Sequence, residues 1–223
     1  MNDCRLKDIT LNITDGEHGT IIDDSKGEYY YLSNKNIINN NIVYTEKDRK
    51  INKEVFDKIN KRTKLEKNDL LLSTVGTIGK TVVIKEEPKY TFQRSVGIIK
   101  VNNNVANPYY IKYYLDNPII QKKLNKIANG GVQKGLYISD LEELKINIPN
   151  LKTQNRKASI LKTIDDKIDN NNLINKKISE LINLIYKYYF VQFEFPIENG
   201  TYKEKNGRFI WNNEIKTEIP INW

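Results

Sequence analysis

The spacing of apolar positions divides this 223-residue chain into two textures. The first 100 residues read as strands and turns. Ile9-Thr10-Leu11-Asn12-Ile13 alternates in part and runs into the turn chemistry of Thr14-Asp15-Gly16. A stretch holding Gly and Asp continues to Gly27, followed by the aromatic run Tyr29-Tyr30-Tyr31-Leu32 and a turn-rich segment from Asn34 to Asn41. Val55, Phe56 and Ile59 are spaced for a short helix between Asn52 and Asn60. Leu70-Leu71-Leu72 and Thr81-Val82-Val83-Ile84 read as buried strands flanking the loop Thr74 to Lys80, and Val96 to Val101 as a further strand.

Asn107-Pro108 opens a helix, because Asn is a favoured N-cap and Pro suits the first helical position. Its expected inner face is Ile111, Tyr114, Leu115, Ile119, Leu124 and Ile127, with a break at Pro118 and an end at Asn129-Gly130-Gly131. Ser139 with Glu142 forms an expected capping box, and Lys145 to Ile148 alternates as a closing strand stopped by Pro149. From about Thr153 to Phe190 there is neither Pro nor Gly, and apolar residues recur at threes and fours. Ile164 and Ile168 make one pair, and Ile174, Ile178, Leu181, Ile185 and Tyr188 continue the seam after a phase slip at Asn170-Asn171-Asn172. At 1.5 Å per residue such a helix is about 55 Å long, too long to bury its stripe on a 150-residue domain, so it needs a partner helix in cis or in trans. The tail from Phe195 carries the turn signals Asn199-Gly200, Asn206-Gly207 and Asn212-Asn213 and reads as an extended connector with a small hairpin.

Composition narrows the chemistry. One Cys excludes a disulfide framework, and one His, His18, argues against a His-based metal centre or a Ser-His-Asp site. No apolar run approaches the roughly 20 residues of a membrane span, and the N-terminus is no signal peptide, so the expectation is a soluble, cytoplasmic protein. The net charge is +8, with 24 basic against 19 acidic groups in residues 1–150 and a tail that is neutral. The 30 Lys occur beside 30 Asn and 32 Ile, all residues of AT-rich codons, so the surplus is compatible with a polyanion partner without demanding one.

Few motifs suggest catalysis. Val75-Gly76-Thr77-Ile78-Gly79-Lys80-Thr81 is not a Walker loop, because the first glycine would have to stand where Thr74 does. What remains is a Gly-rich connection whose Thr74, Thr77 and Lys80 suit contacts to nucleic-acid phosphate, or simply a tight link between strands. Asn107-Pro108-Tyr109-Tyr110 lacks the second Pro of an amino-methyltransferase motif, no Phe-x-Gly-x-Gly loop exists, and a helix cap explains it. Asp116, Glu143 and Lys145 match a metal-nuclease skeleton that arises by chance in charged sequences. Thr14 to Thr20 sets short polar side chains and His18 between glycines, and Gln93-Arg94-Ser95 and Gly130 to Lys134 are similar donor-rich segments next to or containing glycine. Arg reads guanine bidentately and Gln can read adenine, although each is also an ordinary surface residue.

Taken in order, these pieces resemble the specificity subunits of type I restriction-modification systems. The pattern is Asp15-Gly-x-His18, then Asn68-Asp-Leu-Leu-Leu-Ser-x-x-Gly-Thr-Ile-Gly-Lys80, then Gly130-Gly-x-Gln133 before Ile138-Ser-x-Leu141. Ile146-Asn-Ile-Pro149 follows, leading to Leu151-x-x-Gln154 and a helix with Ile164-Asp-x-x-Ile168. Thr153 departs from the usual Glu before the Gln.

The resemblance implies an α+β (mixed) fold: a globular target-recognition domain with a twisted sheet and short helices (1–150), one long coiled-coil helix (151–193), and a connector (194–223) like the lead-in to a second recognition domain. It implies a non-catalytic subunit that reads one half of a bipartite site on double-stranded DNA and directs adenine methyltransferase subunits and restriction (motor) subunits. S-adenosylmethionine, Mg and ATP belong to those partners, and no cofactor is expected in this chain. Only one unit is present, so the expectation is an antiparallel homodimer through Ile164, Ile168, Ile178, Leu181 and Ile185, with a palindromic, interrupted target. Ile219-Pro220-Ile221-Asn222-Trp223 at one end and Leu6-Lys7-Asp8-Ile9 at the other match adjoining parts of the family pattern, so the tail of one copy is placed to complete the opening of another. Thr14, His18, Thr20, Gln93, Arg94 and Lys134 are the candidates for contacts to bases, and Lys35, Thr74, Thr77 and Lys80 for contacts to phosphates. An alternative of another class is a truncated fragment that binds methyltransferase subunits and regulates them without directing modification.

Overall fold

The structure, a computed structural model, describes residues 2–128, 135–194, 196–197, 200–201 and 208–221. In chain order the first strands are β1 (Asn2–Arg5), β2 (Thr10–Asp15), β3 (Tyr29–Leu32), β4 (Ile37–Ile38), β5 (Asn41–Ile42) and β6 (Lys50–Ile51), followed by helix α1 (Lys53–Thr63). Next come β7 (Leu70–Ser73), β8 (Thr81–Val83), β9 (Tyr90–Phe92), β10 (Val96–Val101), α2 (Pro108–Leu115), α3 (Pro118–Ala128), α4 (Ile138–Glu142) and β11 (Lys145–Ile148). The long helix α5 (Leu151–Tyr186) passes into a wider π-helical turn, Lys187–Val191; β12 (Pro196–Ile197), β13 (Gly200–Thr201), β14 (Phe209–Asn212) and β15 (Thr217–Pro220) complete the order. The chain forms two compact units, Met1–Lys162 and Thr163–Trp223.

An antiparallel sheet in the order β2-β10-β7-β8 organises the first unit. Its central strands are covered on both faces, which is why Leu70-Leu71-Leu72 of β7 and Val96 to Ile99 of β10 lack polar alternation. Leu70, Leu72, Ile99 and Val83 face a core completed by Ile111, Leu115, Leu124, Leu141 and Ile146. Leu71, Ile98, Val82 and Val96 face a second core with Leu32, Ile37, Leu65 and Phe92. A second sheet, β6-β3-β9, pairs β3 with β9 in parallel and packs on α1, where Tyr29 stacks on Phe56 at 4.1 Å between centroids.

β1 pairs with β11 and returns the N-terminal segment to the residues just before α5; Leu6 and Ile9 of the intervening 3-10 turn are buried. Asn107 caps α2 by accepting from the Tyr110 N–H at 3.1 Å, as its sequence position suggests. The helix does break at Pro118, and the break shifts the phase. Ile119, expected inside, is 75% exposed, while Ile120, Leu124 and Ala128 carry the inner face of α3. The expected Ser139/Glu142 capping box is also corrected: Asp140 accepts from the Tyr137 N–H at 2.9 Å, two residues before the predicted pair. The predicted end at Asn129-Gly130-Gly131 lies outside the described residues.

Asn150 caps α5, accepting from the Thr153 N–H at 2.9 Å. Gln154, 1% exposed, accepts from the Asn107 N–H at 3.0 Å and donates to the carbonyls of Pro149 and Val105. One amide thus satisfies three backbone groups where the long helix begins, which explains the polar residue in that motif. The 36-residue helix continues unbroken through Asn170-Asn171-Asn172. In the second unit β14 and β15 form a hairpin, and Phe193 meets Phe209 edge-on at 5.9 Å. Among the described residues no helix is long and apolar enough to cross a membrane.

Candidate nucleic-acid interface

The register of the four-stranded sheet brings separated segments of sequence to one edge. Asp15 at the end of β2 stands opposite Gly97, Ser73 at the end of β7 opposite Val96, and Thr81 at the start of β8 opposite Leu72. The segments 15–20, 74–80 and 93–95 therefore all leave the sheet at the same end. The 135–138 segment joins them, because the Leu136 N–H donates to the Thr74 carbonyl at 2.9 Å.

The Thr14–Thr20 turn is held against the backbone before β10. The Glu17 N–H donates to the Phe92 carbonyl at 2.7 Å, and the Arg94 N–H donates to the Glu17 carbonyl at 3.0 Å. A Cβ on Gly16 would stand 2.2 Å from the Phe92 carbonyl oxygen, so only glycine permits this approach. His18 Nε2 lies 2.7 Å from Asp15 Oδ2, with the ring 58% exposed. Thr14 is half-buried beside Arg62, and Thr20 is exposed. Sequence reasoning missed Arg62, which reaches this turn from the last turn of α1. It donates to Thr14 Oγ1 at 3.3 Å, the Asp15 carbonyl at 3.1 Å and the Gly16 carbonyl at 2.5 Å.

The loop from Thr74 to Lys80 links β7 to β8, strand to strand, which a phosphate-binding strand-loop-helix does not do. Ser73 ties it together: its hydroxyl donates to the Thr77 carbonyl at 2.6 Å and accepts from the Lys80 N–H at 2.8 Å. Gly79 has a φ of +89° and lies against Gln121 of α3, whose amide donates to the Gly79 and Leu115 carbonyls. Thr74 is 2% exposed and its hydroxyl donates to the Arg94 carbonyl at 3.4 Å, so it braces the loop from within and does not offer a surface donor to phosphate. Thr77 is exposed, and Lys80 is half-buried beside Asn39, Asn40 and Asp116.

Asp15, His18, Thr74, Arg94 and Gly135 to Ile138 line a cleft of about 290 Å³. Arg94 is exposed with no ion-pair partner among the described residues, Gln93 is half-buried, and Tyr137 is 57% exposed at the rim. Lys134, the residue before this segment, lies outside the described residues. Lys35 sits on a 3-10 turn beside the loops, since Asn34 donates to the Val75 carbonyl and its N–H donates to Ser95 Oγ. The Lys35 ammonium is 3.8 Å from Asp48 Oδ1. Donation by the Asn36 amide and then by the Thr45 N–H holds the Asp48 carboxyl below the usual carboxylate range.

The nuclease skeleton is not assembled as one site. Asp116 pairs with Lys112 at 3.1 Å and accepts from Thr81, whereas Glu143 pairs with Arg5 and Lys7. Lys7 foremost holds the Glu143 carboxyl below its ordinary value. Among the described residues no three His, Cys, Asp or Glu side chains are grouped to hold a metal. On α5, the predicted seam is about half-exposed: Ile164 49%, Ile168 51%, Ile178 49%, Leu181 54% and Ile185 47%. Leu173, Ile174, Ile182 and Leu184 widen this apolar surface.

A two-core mixed sheet-and-helix domain with loops gathered at one sheet end, continued by a long helix with an open apolar face, defines the class. Residues 5–180 match the family of the type I restriction modification DNA specificity domain, and the chain belongs to that family. It is 27% identical over 198 residues to the type I restriction enzyme MjaIX specificity subunit of Methanocaldococcus jannaschii, covering 88% of this chain and 43% of that protein. With the EcoBI specificity subunit of Escherichia coli it shares 28% identity over 139 residues, 61% of this chain and 29% of that one. The chain thus spans less than half the length of these curated relatives. Its fold is similar to a type I S subunit from M. genitalium (TM-score 0.64, 16% identity, 86% of this chain and 46% of that chain). It is also similar to an HsdS subunit from Thermoanaerobacter tengcongensis (TM-score 0.53, 15% identity, 85% and 44%).

Proposed function

We propose that this chain is a sequence-specific DNA-recognition and scaffold subunit of a type I restriction-modification complex. Residues 1–150 read one half of a bipartite site on double-stranded DNA, the helix 151–193 acts as the spacer, and 194–223 is a connector. Two copies pair antiparallel through Ile164, Ile168, Ile178, Leu181 and Ile185, so that the site read is an interrupted palindrome. The assembled dimer directs adenine methyltransferase and restriction subunits, and the chain itself carries no catalytic group.

The observation that carries this reading is the gathering of His18, Thr77, Gln93 and Arg94 at one end of a sheet whose central strands are buried on both faces. Short polar side chains, an imidazole and an unpaired guanidinium at one edge supply the donors and acceptors that base edges and phosphates need. The exposed stripe of α5 supports the pairing, since an Ile/Leu face on a 36-residue helix is stabilised when a second helix covers it. The test is modified-base sequencing of DNA from cells that co-express the chain with a type I methyltransferase subunit. Methylated adenine at an interrupted palindrome is the expected result. An associated pair of proteins that leaves DNA unmodified contradicts it and makes the chain a regulator of the methyltransferase. Within the same reading Lys80 contacts phosphate, so Lys80→Ala weakens binding alike on all sequences and lowers the salt slope by about one; loss of discrimination would refute that role.

A further inference from the structure

We propose that Arg62 is the positioning residue of the Thr14–Thr20 turn, acting through Asp15 to set which hydrogen-bonding face His18 presents to a base. The inference rests on the reading of this turn as a DNA-contacting element, and deepens it.

The guanidinium comes from α1, more than 40 residues along the chain, and its two terminal nitrogens bridge three consecutive residues: Thr14 through its hydroxyl, Asp15 and Gly16 through their carbonyls. A planar fork can hold acceptors in this arrangement, whereas a lysine ammonium is a single point. The same guanidinium stands 3.6 Å from Asp15 Oδ1 and 3.9 Å from Glu17 Oε2. The two oxygens of Asp15 thereby divide their roles, with Oδ1 toward Arg62 and Oδ2 toward His18 Nε2 at 2.7 Å.

An ionised carboxylate only accepts hydrogen bonds, so Nε2 carries the hydrogen. On this proposal the ring keeps Nδ1 as an acceptor toward a base in the cleft that His18 lines with Arg94 and Tyr137. In the major groove the partners for an acceptor are the exocyclic amino groups, N6 of adenine and N4 of cytosine. The chemical class assigned to His18 is therefore an amino-bearing base edge. Gly16 keeps the turn against the Phe92 carbonyl, so Arg62 on one side and the segment before β10 on the other hold the backbone that carries His18.

The experiment is selection of bound sequences from a randomised duplex library by the full-length chain, for wild type, His18→Ala, Arg62→Lys, Asp15→Leu and the His18→Ala/Arg62→Lys double variant. Cooperative urea unfolding of each is the control for folding. Wild type is expected to prefer A or C at one position of the half-site, and His18→Ala to lose about tenfold in preference there, the range of one good base contact. Arg62→Lys keeps the charge and the affinity for bulk DNA but loses the same preference at the same position, and the double variant is no worse than His18→Ala alone. Asp15→Leu, which leaves the three Arg62 hydrogen bonds in place and removes only its ion pair with the Asp15 carboxylate, gives the same loss by removing the link to His18. If Arg62→Lys keeps the wild-type preference, or if its loss adds to that of His18→Ala, the positioning role is overturned while the reading of the turn stands. If His18→Ala changes no preference at all, the reading of the turn as base-contacting fails and the inference fails with it.

Discussion

Leu71 and Leu181 occupy regular secondary structure in the same chain, yet Leu71 is 0% exposed and Leu181 is 54% exposed. Around Leu71 the chain closes on itself: the sheet has a core on each face, and even the polar Gln154 at the domain's edge is satisfied by three backbone groups. Around Leu181 no described residue covers the stripe, and Ile174, Ile178, Ile182 and Ile185 are 47–60% exposed. The difference teaches that apolar content alone does not say what a segment is for. One set of leucines and isoleucines fills the cores of the domain, and the other set stands exposed along α5.

The comparison breaks most readily on its largest expected effect. Leu71→Ala should lower unfolding stability by about 2–5 kcal/mol, the range for truncating a buried leucine. Leu181→Ala should change the unfolding of dilute chain by less than about 0.5 kcal/mol while weakening self-association. Urea unfolding at low and high protein concentration checks both, and equal losses at low concentration would end the distinction.

A smaller loss tests the point where the two regions meet in sequence. Gln154→Leu leaves the Asn107 N–H and two carbonyls without their buried partner, and should cost about 1–3 kcal/mol, read by the same unfolding experiment. An unchanged midpoint would mean that α5 does not depend on this anchor.

The smallest effect concerns pH. The Asp48 carboxyl titrates below its unfolded value because Asn36 and Thr45 donate to it. Its stabilising contribution is therefore present above the usual carboxylate range and is lost as pH falls through the lowered folded value. Asp48→Asn should lower the stability of the first unit near neutrality and flatten its acid limb, so that variant and wild type converge at low pH. A loss of the same size at every pH would place the role of Asp48 in geometry and not in charge.

The strands were legible wherever burial on both sheet faces wrote a continuous apolar run, as in Leu70-Leu71-Leu72 and Val96 to Ile99. The Asn107-Pro108 start and the long helix were legible because capping chemistry and period are local properties. Two local readings failed by a small shift in register. Pro118 restarts the helix and turns Ile119 outward, and Asp140 wins the cap from an overlapping Ser139/Glu142 pattern. The candidate site was legible as separate donor-rich loops, but not as a single cleft, because strand register brings residues 15, 74, 94 and 137 together across more than 100 positions. Arg62 left no local signal at all, since a basic residue in the last turn of a helix is ordinary and its three acceptors lie in the Thr14–Gly16 segment. Thr74 failed for a related reason: a threonine in a Gly-rich loop looks available until the fold buries it.

The most direct test of the central claim is the solution mass of the purified chain by light scattering at micromolar concentration, alongside the Ile178→Asp variant. The account predicts twice the mass of one chain for the wild type and a single-chain mass for the variant, with the recognition unit's unfolding unchanged. A wild-type chain that is monomeric at that concentration would contradict it and leave the apolar face of α5 for a helix of another kind.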